Sequence, residues 1–131
     1  IAKKEQQFIY RHSGEQEIEL DDSLLRNIIF NLLSNAIKFS SDEGIIEVTS
    51  STDNGIFTIT IKDNGIGISE EDQQHLFERF FRASNATNIQ GTGLGLHIVG
   101  KYAELMNGTI SFASELEKGT SITISFNKPP Q

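Results

Sequence analysis

Residues 22–39 carry the pattern that most restricts how this chain folds. Their apolar side chains recur at the spacing of one helix face, at Leu24, Leu25, Ile28, Ile29, Leu32, Leu33, Ala36 and Ile37. This spacing predicts one long amphipathic helix, which Asp22 or Ser23 is suited to cap at its start. The polar run from Ser40 to Gly44 predicts its end. A helix with such an apolar face needs a second layer of structure to bury it.

The rest of the chain supplies that layer through segments that alternate apolar and polar residues, which is the period of a β-strand. Strands are predicted over residues 7–12, 17–20, 45–51, 56–62, 109–114 and 121–127, and further helices over residues 69–77 and 94–106. The turn Thr52-Asp53-Asn54-Gly55 joins two strands as a hairpin. Ser69 begins a capping box for the shorter helix, and Asn107-Gly108 ends the longer one. The order of elements predicts helices on one face of a mixed sheet.

Length, charge and composition exclude several classes of function. The chain has 131 residues, enough for one domain with a real core, and its 11 basic and 18 acidic residues give a net charge of −7. This balance disfavours a nucleic acid or an anionic membrane as partner. There is no cysteine and hence no disulfide, and no apolar run approaches the roughly 20 residues that span a bilayer. Because the first residue is Ile1, residues 1–131 are expected to be a single domain of a longer protein, with residues 128–131 as a tail.

Three asparagines and a lysine form a polar stripe on the predicted long helix. Asn27, Asn31, Asn35 and Lys38 fall within roughly 80° of one another around the helix axis. Asparagine is a mediocre helix former, and a stripe that only faces solvent usually carries Glu, Lys, Gln or Arg. One interpretation is that Asn35 gives a carbonyl oxygen to Mg²⁺, a hard cation that prefers oxygen ligands, while Lys38 pairs with a phosphate. A solvent-facing stripe is the alternative.

A carboxylate is predicted on the apolar side of one strand. The core face of this strand is formed by Phe57, Ile59 and Ile61. The same alternation places Asp63 on that face, where a carboxylate is costly unless it is hydrogen-bonded. The exocyclic amine of adenine is a donor that would satisfy it, and Gly65 and Gly67 permit tight backbone geometry and close approach of a ligand. The alternative is a structural aspartate that caps the turn into Asn64.

A second glycine cluster, Gly91-Thr-Gly93-Leu-Gly95, leads directly into a predicted helix. Exposed backbone N–H groups and a helix N-terminus attract anions, and glycines leave no side chain between backbone and phosphate. A flexible hinge is the alternative. Residues 83–92 lack an apolar period and predict a mobile lid over a ligand. The partial match of residues 95–102 to a Walker A loop is a chance one, because Tyr102 stands where that motif needs Ser or Thr.

In this order the clusters resemble the N, G1 and G2 boxes of the ATP-binding catalytic domain of sensor histidine kinases. The segment Leu76-Phe77-Glu-Arg-Phe80-Phe81-Arg82 between them resembles that family's F box. The resemblance runs from about residue 22 to residue 126. It implies a two-layer α/β sandwich with a mixed, mostly antiparallel, five-stranded sheet and about three helices on one face, the Bergerat ATP-binding fold. It also implies ATP and Mg²⁺ as cofactors.

The resemblance also implies roles for individual residues. Those implied to contact the nucleotide are Asn31, Asn35, Lys38, Phe39, Asp63, Gly65, Gly67, Ile68, Phe77, Arg82, Gly91, Thr92, Gly93, Leu94, Gly95 and Leu96. Asn35 matches the family's metal ligand, and Lys38 and Arg82 match residues that reach phosphate. Together with Asn31 they are the residues implied to be catalytic. The phenylalanines of the F box are suited either to the core or to contact with a partner helical domain.

Asn31 bears on the type of reaction. Related ATPases such as gyrase carry a glutamate general base at the matching position, whereas asparagine accepts no proton at neutral pH. The γ-phosphoryl group is therefore expected to be kept for an acceptor other than water. Neither His12 nor His75 nor His97 is followed by an acidic residue, so the acceptor histidine is expected on a separate dimerisation domain.

The resemblance thus implies a histidine kinase of two-component signal transduction. The γ-phosphoryl group of Mg·ATP would pass to the dimerisation and phosphoacceptor domain of the same parent chain, with a response regulator downstream. No nucleic acid and no direct membrane contact are expected. The domain is expected in the cytoplasm, whether or not its parent chain is anchored in the inner membrane. Two alternatives stay open, namely a serine kinase of the anti-sigma type and a nucleotide-sensing module without catalysis.

Overall fold

Five strands form one mixed sheet in the computed structural model, which describes residues 7–14, 22–40, 44–75 and 95–127. In chain order the elements are β1 (Gln7–Gly14), α1 (Asp22–Phe39), β2 (Ile45–Asp53), β3 (Ile56–Asp63), α2 (Glu70–Gln73), α3 (Gly95–Leu105), β4 (Thr109–Glu115) and β5 (Gly119–Asn127). The strands lie in the order β1-β2-β3-β5-β4, with β1 parallel to β2 and the other neighbours antiparallel. The mostly antiparallel five-stranded sheet is confirmed.

Helices α1 and α3 bury one face of this sheet. The buried apolar side chains come from both helices and from β2, β3 and β5, and they are Ile28, Leu32, Ala36, Ile46, Ile59, Ile61, Val99, Ala103, Ile122, Ile124 and Phe126. α1 packs against α3 and β3, and α3 packs against β4. The buried positions of α1 lie one helical turn apart, as its apolar period predicts. The architecture is therefore the expected two-layer sandwich.

The opposite face of the sheet is lined by hydroxyl groups. The hydroxyls of Thr58 and Ser125 lie 3.1 Å apart, and those of Thr60 and Thr123 lie 3.0 Å apart, so two hydrogen bonds join β3 to β5 on this face. These residues alternate with the buried isoleucines of the same strands. The pleat therefore separates an apolar face under the helices from a face whose polar groups satisfy one another.

The β2–β3 hairpin turns at Asn54 and Gly55. Their φ angles are 53° and 78°, which are the left-handed values of a type I′ turn. This turn matches the right-handed twist of its strands, so pairing continues up to it and β2 extends to Asp53, beyond its predicted end at residue 51. The predicted hairpin is confirmed.

The C-terminus of α3 is closed by a Schellman arrangement. The N–H of Gly108 donates to the carbonyl of Ala103 at 2.8 Å, and the N–H of Asn107 donates to the carbonyl of Glu104 at 3.1 Å. Asn107 takes the left-handed conformation, with φ of 56°. A Cβ on Gly108 would lie 2.6 Å from the ring of Phe126. The predicted stop is thus confirmed, with Asn107 reversing the chain and Gly108 passing over the buried ring.

The short helix α2 begins as predicted and ends early. The hydroxyl of Ser69 accepts a hydrogen bond from the N–H of Asp72 at 3.2 Å, which caps the helix. The helix ends at Gln73 and buries none of its side chains. A short helix is only marginally stable unless tertiary packing supports it. Because α2 buries no side chain, little stabilises a helix that continues beyond Gln73.

Several predicted segments lie outside the described residues. They are the strand over 17–20, residues 76 and 77 of the segment predicted as a helix, the lid over 83–92 and the tail over 128–131. Within the described ranges, no helix combines the length and the apolarity that a membrane crossing requires.

Candidate functional site

The carboxylate of Asp63 lies at the C-terminal end of β3, on the helix-covered face of the sheet. Asp63 is 9% exposed, and its Oδ1 accepts a hydrogen bond from the N–H of Gly65 at 2.9 Å. Burial raises the pKa of Asp63, while the backbone N–H groups of Gly65 and Thr120 act in the opposite direction. Among the described residues no side chain donates to this carboxylate. The carboxylate of Asp63 can therefore accept a further hydrogen bond from a donor outside the described residues.

The loop that follows Asp63 rests on the end of α1. The N–H of Ile66 donates to the carbonyl of Phe39 at 3.2 Å, and a Cβ on Gly65 would lie only 2.0 Å from that same carbonyl oxygen. Gly65 is needed because two backbones meet here. The predicted site residues Phe39, Asp63 and Gly65 are thus brought together.

The hairpin between β4 and β5 holds the same loop from the other side. Gly67 has φ of 72°, and a Cβ there would lie 2.0 Å from the carbonyl oxygen of Glu115. The N–H of Glu117 donates to the carbonyl of Ile66 at 2.8 Å. A Cβ on Gly119 would lie 2.0 Å from the carbonyl oxygen of Asp63. The close neighbours of Gly65 and Gly67 are therefore protein carbonyls, and contact of these glycines with a ligand stays a prediction.

Two side chains that sequence reasoning missed, Ser114 and Gln73, fix the backbone of Ile68. The N–H of Ile68 donates to Oγ of Ser114 at 2.8 Å. Nε2 of Gln73 donates to the carbonyl of Ile68 at 2.8 Å and to that of Ser114 at 3.1 Å. The signal for Ser114 was present in the sequence, because the alternation of Ile110 and Phe112 puts this hydroxyl on the apolar side of β4.

The asparagine stripe of α1 lies on half-buried to exposed positions. Nδ2 of Asn31 donates to the carbonyl of Asn27 at 2.8 Å, and Nδ2 of Asn27 donates to the carbonyl of Ser23 at 2.9 Å. Asn35 is half-buried and its side chain has no hydrogen bond to another described residue. The amide oxygens of Asn31 and Asn35 are therefore left for other partners, while Lys38 is exposed.

These oxygens fit a cation such as Mg²⁺ only in part. Mg²⁺ accepts amide oxygens, keeps several waters and takes phosphate oxygens readily. The described residues contain no group of three or more His, Cys, Asp or Glu side chains that could hold a metal ion. The donor set therefore suits a cation that arrives with a phosphate ligand, with Asn35 as one protein ligand, and does not suit a cage made by the protein alone.

The structure brings one part of the predicted site together. Asn35 precedes Phe39 by about one turn of α1, so it lies near the point where the Asp63 loop meets the helix. α3 begins at Gly95, and Leu96 packs half-buried against the core. The predicted site residues Phe77, Arg82, Gly91, Thr92, Gly93 and Leu94 lie outside the described residues. Their roles stay predictions.

Comparison with known proteins finds one family along most of the chain. Residues 20–130 match the family described as histidine kinase-, DNA gyrase B-, and HSP90-like ATPase. The heme sensor protein HssS of Staphylococcus saprophyticus subsp. saprophyticus is 43% identical over 111 residues, which cover 85% of this chain and 24% of that protein. The sensor histidine kinase YvrG of Bacillus subtilis (strain 168) is 41% identical over 119 residues, which cover 88% of this chain and 20% of that protein. The chain thus spans a quarter or less of the length of these relatives.

Solved structures share the fold over nearly the whole chain. The mycobacterial sensor histidine kinase MprB is similar with a TM-score of 0.80 and 29% identity, covering 95% of this chain and 86% of that one. Full-length ShkA in complex with AMPPNP is similar with a TM-score of 0.80 and 26% identity, covering 97% of this chain and 27% of that one. The chain therefore shares its architecture with these solved structures.

Proposed function

The chain belongs to the family of histidine kinase-, DNA gyrase B- and HSP90-like ATPases, and from this we propose that it is the ATP-binding catalytic domain of a sensor histidine kinase. The observation that carries the proposal is the carboxylate of Asp63, which is buried, anchored by a backbone N–H and left with an unused acceptor. The printed names of its relatives support the kinase assignment. The ligand of ShkA, the ATP analogue AMPPNP, supports the nucleotide.

In this proposal the nucleotide lies between α1, the Asp63 loop and the start of α3. The carboxylate of Asp63 accepts a hydrogen bond from the amine of adenine, and Ile68 borders the base. Asn35 contributes an oxygen to Mg²⁺, which supplies charge neutralisation on the phosphates. Lys38 and Arg82 bind phosphate oxygens, and the backbone of residues 91–95 wraps them.

The proposed chemistry is transfer of the γ-phosphoryl group to a histidine of another domain. Catalysis of such a transfer is mostly positioning and charge stabilisation. Asn31 holds no proton-accepting group, and its amide nitrogen is committed to the carbonyl of Asn27, so it does not activate water for hydrolysis. We place the domain in the cytoplasm, where the acceptor domain and a response regulator would meet it.

The first test is phosphoryl transfer itself. The chain is mixed with a helical dimerisation domain that carries an acceptor histidine, together with radiolabelled ATP. We expect label on the acceptor domain that is lost in acid and kept in base, as for phosphohistidine, and little ATP consumption when the acceptor domain is left out. Acid-stable label would indicate phosphoserine, and the serine-kinase alternative would then replace the proposal. Binding of ATP without transfer to any acceptor would favour the sensing module.

The second test concerns Asn35 and the metal. Asn35→Ala is expected to weaken ATP binding in the presence of Mg²⁺ by about tenfold, because one ligand of a partly hydrated cation is lost. Removal of Mg²⁺ by a chelator should weaken binding to the unmodified chain by at least as much and should change little in the variant. Isothermal titration calorimetry measures both values. Asn27→Ala is the matched control, since the same residue type lies two turns away on the same helix. An equal metal dependence in the two variants would remove Asn35 from the metal site.

A further inference from the structure

Ser114 lies at a junction between the two segments that surround Asp63. It is half-buried at the end of β4, and its Oγ lies within hydrogen-bond distance of three groups. The N–H of Ile68 donates to it at 2.8 Å, it donates to the carbonyl of Gly119 at 3.1 Å, and Oγ1 of Thr120 lies 2.8 Å away. One hydroxyl therefore joins the loop after β3 to the start of β5.

The hydrogen bonds that Ser114 makes determine the direction in which the Thr120 hydroxyl donates. A serine hydroxyl has one hydrogen to donate and two lone pairs to accept with. The hydrogen of Ser114 goes to the carbonyl of Gly119, and one lone pair takes the N–H of Ile68. The remaining lone pair accepts the hydrogen of the Thr120 hydroxyl. All three hydrogen-bonding positions of Ser114 are then filled.

This orientation matters because Thr120 lies beside Asp63. The two residues are paired across β3 and β5, and side chains paired in this way lie about 5 Å apart at Cβ. A threonine hydroxyl at this place is suited to donate to the neighbouring carboxylate, yet no such hydrogen bond is present. Ser114 diverts that hydrogen, and the carboxylate keeps its acceptor for a ligand.

We propose that Ser114 is a positioning residue for recognition of the base, an inference that rests on the proposed nucleotide site. It holds the Thr120 hydroxyl away from Asp63, so that the carboxylate stays available to the amine of the ligand. It also fixes the backbone of Ile68 at the border of the base, together with the amide of Gln73. Ser114 acts through these residues and does not itself contact the nucleotide.

Substitution of Ser114 tests this role by ATP affinity. Ser114→Ala frees the Thr120 hydroxyl to donate to Asp63, so we expect ATP binding to weaken by about tenfold. Ser114→Thr keeps the hydroxyl and should bind within about threefold of the unmodified chain. Ser111→Ala is the matched control, because Ser111 lies on the same strand and is exposed. If Ser114→Ala does not fold, Ser114→Cys takes its place, since a thiol is a weak donor and acceptor.

A double-mutant cycle separates this role from a merely structural one. In a Thr120→Val background no hydroxyl is left to compete for Asp63, so Ser114→Ala should weaken ATP binding by less than about threefold. In the nucleotide-free chain, Ser114→Ala should also lower the pH at which the Asp63 carboxyl titrates by NMR, because a new donor stabilises its charged form. A structural role alone predicts the same loss in both backgrounds and no movement of that titration.

The outcomes separate this inference from the proposed function. If the unmodified chain takes up no ATP, the proposed function fails, while the nucleotide-free titration still decides the role of Ser114. If the unmodified chain binds ATP and Ser114→Ala binds it equally well, or if the titration of Asp63 is unchanged, the inference is overturned and the proposed function stands.

Discussion

Replacing Gly65 by alanine is expected to separate α1 from the Asp63 loop and to lower the free energy of unfolding by about 3 kcal/mol. The added Cβ would lie 2.0 Å from the carbonyl oxygen of Phe39 and 2.7 Å from its carbonyl carbon. Both are backbone atoms at the end of a packed helix, so neither moves as a side chain would. The shift that relieves this overlap also breaks the hydrogen bond from Ile66 to Phe39.

Denaturant unfolding and ATP titration check this prediction together. The variant should lose most of its ATP affinity even at temperatures where it is folded, because α1 and the Asp63 loop, which we propose to bind phosphate and base, no longer share a fixed contact. Lys62→Ala is the control, since this side chain is exposed on β3, the strand that leads into the Asp63 loop. Unchanged stability and unchanged affinity in Gly65→Ala would mean that the contact with Phe39 is not what holds the site together.

Asp63→Asn is expected to reduce ATP affinity by about 100-fold while leaving the fold intact. The asparagine oxygen can replace Oδ1 in accepting from the N–H of Gly65. In the proposed complex its amide group would face the amine of adenine, so two donors would meet where the proposal pairs an acceptor with a donor. Calorimetry measures the affinity, and Asp53→Asn at the exposed end of β2 is the matched control. Equal affinities in the two variants would show that Asp63 does not read the base.

The same variant has a distinct pH dependence of stability. Burial raises the pKa of Asp63 above its ordinary value of 3.8, so the folded, nucleotide-free chain binds this proton more tightly than the unfolded chain does. The associated stabilisation is fully present below pH 3.8 and is lost as the pH rises through the folded value. Asp63→Asn removes this loss. The free energy of unfolding of Asp63→Asn, relative to that of the unmodified chain, should therefore increase from pH 4 to pH 7. A difference that stays constant would contradict a raised pKa for Asp63.

The elements of this fold could be predicted where one segment carries its own pattern. The apolar period from Leu24 to Ile37 gave α1 with its observed bounds, and the alternation up to Asp63 placed this carboxylate on the buried side. Asn54-Gly55 and Asn107-Gly108 marked the two reversals, since left-handed backbone has a narrow choice of residues. In each case the deciding physics is local.

The contacts that assemble the site could not be predicted in this way. Periodicity states which face of an element is apolar but not which element covers it, so the meeting of Gly65 with Phe39 was not foreseen. The sequence predicts tight backbone geometry at the glycines after Asp63, but it does not predict that their nearest neighbours are carbonyls of α1 and β4. The sequence does not predict the proposed role of Ser114, because a single serine in a strand has many ordinary explanations and this role depends on Thr120 in another strand.

The last strand of the described chain, β5, lies between β3 and β4. During synthesis, every other described element therefore leaves the ribosome before β5, the strand that joins β4 to β1, β2 and β3. Until residues 119–127 emerge, β3 lacks its partner on that side, and Asp63 has neither the Thr120 backbone nor the Gly119 turn beside it. A nascent chain truncated before β5 should therefore form the β2–β3 hairpin but bind no ligand. The sheet and the proposed binding site are expected to be completed together, when β5 pairs with β3 and β4.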